Sequence, residues 1–165
     1  MQREWSARAD AAENAVITRH IRRVWGIPGT ALAVVAWPAD RRERVFVHWH
    51  YWWQAHLINC TVDAAERNPT ARRRRRLTRL IRGHRIRNIS GWTNSYYDDM
   101  AWLGLALERA QRMQLVDNRK ALATLEAQLF DAWSPDDGGG IPWRKHSDFF
   151  NTPANGPAGL MLARS

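Results

Sequence analysis

Apolar positions recur at steps of three and four residues along most of the chain, the spacing of amphipathic helices. Trp5, Ala9, Ala12, Val16 and His20 form the first such stripe, and the pattern breaks at "WGIPGT", where Gly26, Pro28 and Gly29 end a helix. The next segment, "ALAVVAWPADRRERV", reads as a connection. Its first seven residues are apolar enough to pair as a strand, although Pro38 and the charges behind it argue for a loop. From Val45 to Arg67, "VFVHWHYWWQAHLINCTVDAAER" predicts a helix that is apolar nearly all round at its start and amphipathic later, as if buried at one end. Asn68 and Pro69 stop it.

The spacing then predicts a helix over Thr70 to Arg87. Leu77, Leu80, Ile81 and His84 share one face, and Ile86 falls off it. Arg72 to Arg76, Arg79, Arg82, Arg85 and Arg87 make a solvated outer face whose stems cover apolar surface. "NISGWTNS" is turn-rich, with Asn94 or Ser95 placed to cap the following helix. That helix, Tyr96 to Met113, carries Met100, Leu103, Leu107 and Ala110 in a stripe that Trp102 and Ala106 broaden. Another runs from Asn118 to Trp133 through Leu122, Leu125, Leu129 and Phe130. The loop "SPDDGGGIPWRKHSDFFNTPANGP" is longer than structureless loops usually are without a functional reason, and the run "AGLMLA" follows it. Five or six successive helices with little strand make an all-α chain built of helical hairpins, with no strict internal repeat.

With 165 residues, 45% of them apolar and ten of them tryptophan, the chain suits one domain with a sizeable core. The single cysteine, Cys60, allows no internal disulfide or thiolate metal cluster and reads as a small helix-packing residue. "MQREWSARADAAENAV" has no apolar signal region, and no stretch approaches the ~18 apolar residues of a membrane span. The default expectation is therefore a cytoplasmic protein with no membrane partner. A net charge of +9 raises the question of nucleic acid. Much of the excess lies on the arginine helix, where a solvated face is the first reading and a phosphate- or partner-binding face the alternative.

Chemistry concentrates in "SYYDDMAW", where Asp98 and Asp99 stand next to each other among aromatic and apolar neighbours. Acids in a first helical turn are favoured by the helix dipole alone. Two carboxyls facing one cavity have a second use. Like charges held close raise one pKa while the other group remains ionised, which separates a proton donor from a nucleophile or base. In glycoside hydrolysis such a pair flanks the scissile bond. Sugar sites also need flat aromatic faces, and the chain offers Trp49, Trp52, Trp53, Trp92, Tyr96, Tyr97 and Trp143. Trp92 and Trp143 are the stronger candidates because they sit in glycine-containing loops. His48 and His50 diverge on a helix and have no acidic third ligand. Asp136 and Asp137 lack the alternating oxygens of a calcium loop and read as turn residues. No metal or other cofactor is expected.

"HYWWQAHLINC" on one helix, "YYDDMAW" opening a later one and "GGGIPWR" in a following loop, in that order, resemble glycoside hydrolase family 76. The resemblance implies an endo-acting α-1,6-mannanase with an (α/α)6 barrel and a mannan-like polysaccharide or oligosaccharide substrate. It makes Asp98 the nucleophile and Asp99 the general acid/base of a retaining mechanism without a cofactor. It places Trp143 and Arg144 on the substrate groove and Asn94 and Tyr97 beside the acids, in addition to Trp92, which its loop position alone offers as a sugar contact. After "GGGI", family members often carry further aromatics where this chain has Pro142 and then Trp143.

The similarity covers nearly the whole chain, from "WSARADAAENAV" through "NTPANGPAGLML", and implies that residues 1–165 are one family domain, incomplete at its C-terminal side, with the barrel about half built. Half a barrel leaves apolar faces open for self-association and supplies fewer loops to hold a transition state, so turnover by this chain alone is expected to be impaired. Two other readings compete. One is a sugar-binding remnant that releases no product. The other, which the resemblance disfavours, is a basic helical module for nucleic acid or another polyanion, recognisable by steep salt dependence.

Overall fold

The computed structural model describes residues 2–135 and 138–165, so the expected turn residues Asp136 and Asp137 lie outside the described residues. The chain divides into two compact units, Met1–Arg87 and Asn88–Ser165. Both are helical, in agreement with an all-α chain of hairpins. Among the described residues no helix is long and apolar enough to cross a membrane.

In the first unit, α1 (Gln2–Arg19) leads into a short antiparallel pair, β1 (Ile21–Arg22) and β2 (Leu32–Ala33), with Ile21 opposite Ala33. Only two residues of "ALAVVAW" therefore pair as a strand. The buried side-chain amide of Gln54 takes over at Ala33, accepting its N–H at 3.0 Å and donating to its C=O at 2.9 Å. The amide thus satisfies both backbone groups of the last paired residue in place of a further strand.

The helix expected from Val45 begins later. Asp40 and Glu43 close a capping box on α2 (Arg41–Arg44), and Phe46 then turns the chain with a φ of 54°. Phe46 is fully buried with Val24, Leu32, Val34 and Ala39, and that burial holds the turn in place. α3 (Tyr51–Arg67) follows, so His48 lies before it and His50 is its N-cap residue. Its first turn is not enclosed, because Trp52 and Trp53 are 45% and 42% exposed. Cys60, expected to pack between helices, is exposed.

α3 packs against α4 (Ala71–Arg87), and Leu77, Leu80, Ile81 and His84 are all buried, as their spacing predicts. Ile86, off that face, packs against the Phe46 cluster. Arg73 departs from the solvated arginine face. It is buried and donates to Asp10 and Glu13 of α1, an ion-pair cluster that Arg67 and Arg76 extend. Gly83 lets the backbone before β2 approach α4, since a Cβ there would fall 2.1 Å from the Ala31 carbonyl oxygen.

The second unit comprises α5 (Tyr97–Arg112), α6 (Arg119–Phe130) and α7 (Thr152–Leu162). Met100, Leu103, Leu107 and Ala110 are fully buried, and Leu122, Leu125 and Leu129 form the matching face of α6. Ala106 broadens the α5 stripe as expected, whereas Trp102 points outward, as does Phe130 at the end of α6. α7 starts well before "AGLMLA". The Asn151 side chain accepts the Ala154 N–H at 3.0 Å, a proline in the first turn needs no donor there, and Ala154, Pro157, Ala158 and Met161 are buried together. Gly104 of α5 gives Met161 its room, because a Cβ there would sit 2.0 Å from the methionine sulfur.

Candidate active site

All the residues singled out around the aspartate pair lie within the second unit. Tyr96 is the N-cap residue of α5, with extended backbone and no side-chain cap. Neither Asn94 nor Ser95 caps the helix through its side chain. Asn94 instead spans the corner, its Oδ1 accepting the Tyr96 N–H at 2.9 Å and its Nδ2 donating to Asp99 Oδ2 at 2.6 Å. One side chain thus shapes the entry to α5 and orients a carboxyl.

The loop after α6 comes back onto this corner. Tyr96 bridges Arg144 backbone to backbone, the Tyr97 N–H donates to the Trp143 carbonyl at 3.0 Å, and the Lys145 N–H donates to the Ser95 carbonyl at 2.8 Å. This short ladder holds the Trp143 ring edge-on to Tyr96, with ring centres 5.1 Å apart, and delivers its indole Nε1–H to Asp98 Oδ2 at 3.0 Å. Asp98 Oδ1 accepts the Asp99 backbone N–H at 2.8 Å, so both oxygens of Asp98 have N–H donors.

The glycines of the loop make this return possible. Gly138 and Gly139 have φ values of 91° and 89°, which favour glycine. Gly140 lies so close to Asn155 that a Cβ would come within 2.9 Å of its Oδ1. That same Oδ1 accepts the Ile141 N–H, and Asn155 Nδ2 donates to the Ile141 carbonyl, each at 2.8 Å. Lys145 is tied to Gln128 of α6 at 2.7 Å. Asn155, Gln128 and Lys145 position the site, and sequence reasoning missed them. No local spacing marks them, because each acts across 14 or more residues.

The two carboxyls differ electrostatically. Burial pushes the Asp99 pKa up to about 6; the Asn94 hydrogen bond pulls it down and the neighbouring Asp98 charge pushes it up, both less strongly. Burial likewise raises the Tyr97 phenol. An acid that holds its proton to about pH 6 beside a second carboxyl held by an indole N–H is an arrangement that can separate a proton donor from a nucleophile or base. Trp92 is half-buried in the loop before α5, and Arg144 is exposed beside Trp143. Asn94 and Trp143 touch the acids directly through side chains, whereas Tyr97 does so as the preceding residue on the helix. Among the described contacts no hydrogen bond joins the Arg144 side chain to either carboxyl. His48, His50 and the other described His, Cys, Asp and Glu residues form no group of three placed to hold a metal ion.

The profile of glycosyl hydrolase family 76 matches residues 5–164. The chain belongs to this family. Solved structures agree on the fold. The α-1,6-mannanase GH76A of Salegentibacter sp. HEL1_6 superposes with a TM-score of 0.84 at 24% identity, covering 97% of this chain and 44% of that one. An inactive variant of it, with two consecutive aspartates replaced by asparagine and in complex with α-1,6-mannotriose, gives 0.83 at 23% with the same coverage. The Lin0763 protein from Listeria innocua gives 0.81 at 24% identity, covering 95% of this chain and 45% of that one. The family 76 chain thus spans less than half the length of these relatives. No curated protein matches it.

Proposed function

We propose that the site of this family 76 chain cleaves α-1,6-linked mannose polymers internally, with retention, using Asp98 as nucleophile and Asp99 as general acid/base. The observation that carries this reading is the asymmetry of the pair. Asp99 holds its proton to about pH 6 through burial, while Asp98 is fixed by the Trp143 indole and its neighbour's N–H. A protonated Asp99 donates to the departing glycosidic oxygen as Asp98 bonds to the anomeric carbon. The resulting Asp99 carboxylate then takes a proton from the water that attacks the same carbon, which frees Asp98 and regenerates the acid. Trp143, anchored by Asp98 and Tyr96, offers an aromatic wall, and Asn94 keeps the acid pointed at the bond.

Support for the substrate comes from the family and from the mannotriose complex of the relative. The test incubates the full chain with α-1,6-mannooligosaccharides and follows products by chromatography and the first-formed anomer by NMR. Shorter mannooligosaccharides of retained configuration are expected, with kcat/KM falling on its basic side near pH 6. Asp99→Asn should lower kcat/KM by about 10²–10⁴-fold. Cleavage undiminished in both Asp98→Asn and Asp99→Asn refutes the assignment. Calorimetric binding of the sugars with no product release replaces it with the non-catalytic sugar-binding reading.

A further inference from the structure

The first unit contains a concave surface that the aspartate chemistry does not use. On α4, Arg72, Arg75, Arg76 and Arg79 recur at steps of three and four and therefore share a face. Arg22 of β1 and the following Arg23 stand across from them, and all six line one open cavity of about 500 Å³. Thr30 and Gly29 contribute to its wall, and the Arg82 guanidinium lies so close to Gly29 that a Cβ there would meet Nη1 at 3.0 Å.

The charges in this cavity are poorly compensated. Asp10 and Glu13 are occupied by Arg67, Arg73 and Arg76. Among the described residues no ion pair reaches Arg22, Arg23, Arg72, Arg75 or Arg79. Arg22 is instead oriented by its own backbone surroundings, donating to the Ile21 and Arg19 carbonyls at 2.7 and 2.9 Å. Like charges at these helical spacings repel, and the Arg76 pKa is lowered, first by burial and then by the neighbouring Arg72 and Arg73 charges against the pull of Glu13. A face shaped only for solvation has no need to border a hollow with six cations from two segments. A concave wall of one sign focuses its field on whatever enters, and guanidinium forks match phosphate oxygens in pairs. The volume is that of a small-molecule site, and the six arginines border one cavity from two segments instead of running along a single extended surface as they would for a nucleic-acid strand.

We propose that this pocket binds a small, multiply phosphorylated anion. The probe is tripolyphosphate, titrated calorimetrically into the full chain at about 50 and about 300 mM salt. Arg75→Gln/Arg79→Gln removes two exposed guanidiniums from the wall, and Arg41→Gln/Arg42→Gln removes the same charge from α2 in the same unit as a control. Saturable binding at one site per chain is expected, weaker at high salt, weakened about tenfold or more by the wall variant and less than about twofold by the control. If circular dichroism shows the wall variant misfolded, Arg72→Gln takes its place with the same expectation. Non-saturating heat, or equal weakening in both variants, overturns the proposal in favour of a diffuse positive field. Tighter binding of a short single-stranded oligonucleotide than of tripolyphosphate overturns it in favour of a nucleic-acid surface.

Discussion

Asp99→Asn preserves the shape of the side chain at the candidate acid and removes its ability to ionise. In the folded chain Asp99 titrates at about 6, against an ordinary value of 3.8. A difference of about 2 pH units corresponds to about 3 kcal/mol, and partial exposure of the carboxyl reduces this to about 2 kcal/mol. The sign follows from which state binds the proton more tightly. Because the folded value is the higher one, protonated Asp99 stabilises the fold fully below pH 3.8, and that contribution is lost as pH rises through 6. At pH 8 the parent buries a charge that the asparagine variant lacks.

Urea denaturation at pH 4, 6 and 8, followed by tryptophan fluorescence and circular dichroism, should therefore find Asp99→Asn close to the parent at pH 4. At pH 8 the variant should be more stable by about 2 kcal/mol, or roughly 4–8 °C in Tm. The same substitution should abolish general acid/base action, a stability–activity trade-off located in one carboxyl. A gain equal at pH 4 and pH 8, or a loss of stability at pH 8, refutes the reasoning, since neither can come from a buried carboxyl whose pKa is raised.

Trp143→Phe keeps a ring against Tyr96 but loses the indole donor to Asp98, and should cost about 1.5 kcal/mol, or about tenfold in kcat/KM on mannooligosaccharides; unchanged kinetics would make that hydrogen bond incidental. Gly83→Ala gains about 1 kcal/mol of helix propensity yet places a Cβ 2.1 Å from the Ala31 carbonyl, so denaturation should show a net loss of about 2 kcal/mol or more. His84 is fully buried beneath Trp49 and Tyr51, neither ring nitrogen has a well-aligned partner, and burial depresses its pKa to about 3. The contribution of His84 to stability should therefore be complete above pH 6.5 and be lost as pH drops toward 3, and His84→Leu should remove that part of the acid dependence; a slope between pH 7 and 4 identical to the parent's in the leucine variant would refute it.

What could be read along the chain was whatever repeats locally. The α4 and α5 stripes follow from the 3.6-residue period, and Leu77, Leu80, Met100 and Leu103 are buried because that period turns them to one side. The aspartate pair was legible by adjacency and by its aromatic company. Apolar content alone misled at Val45–Arg67, since a buried Phe46 in a left-handed turn delays the helix to Tyr51 within what reads as one apolar run. Trp102 and Phe130 also fit helical spacing and still face outward, because the stripe has an edge that neighbouring helices define.

Sequence by itself determined the helical class, most of the buried faces and the pair Asp98 and Asp99, because these depend on residues a few positions apart. Only the tertiary structure decided the surroundings of the pair. It brought the Trp143 indole across 45 residues to Asp98, tied its loop through Asn155, and buried Asp99 enough to separate its pKa from the ordinary value. Proton affinity and side-chain orientation are set by local solvent exclusion and by donors arriving from distant segments, and neither is written in the spacing of neighbours.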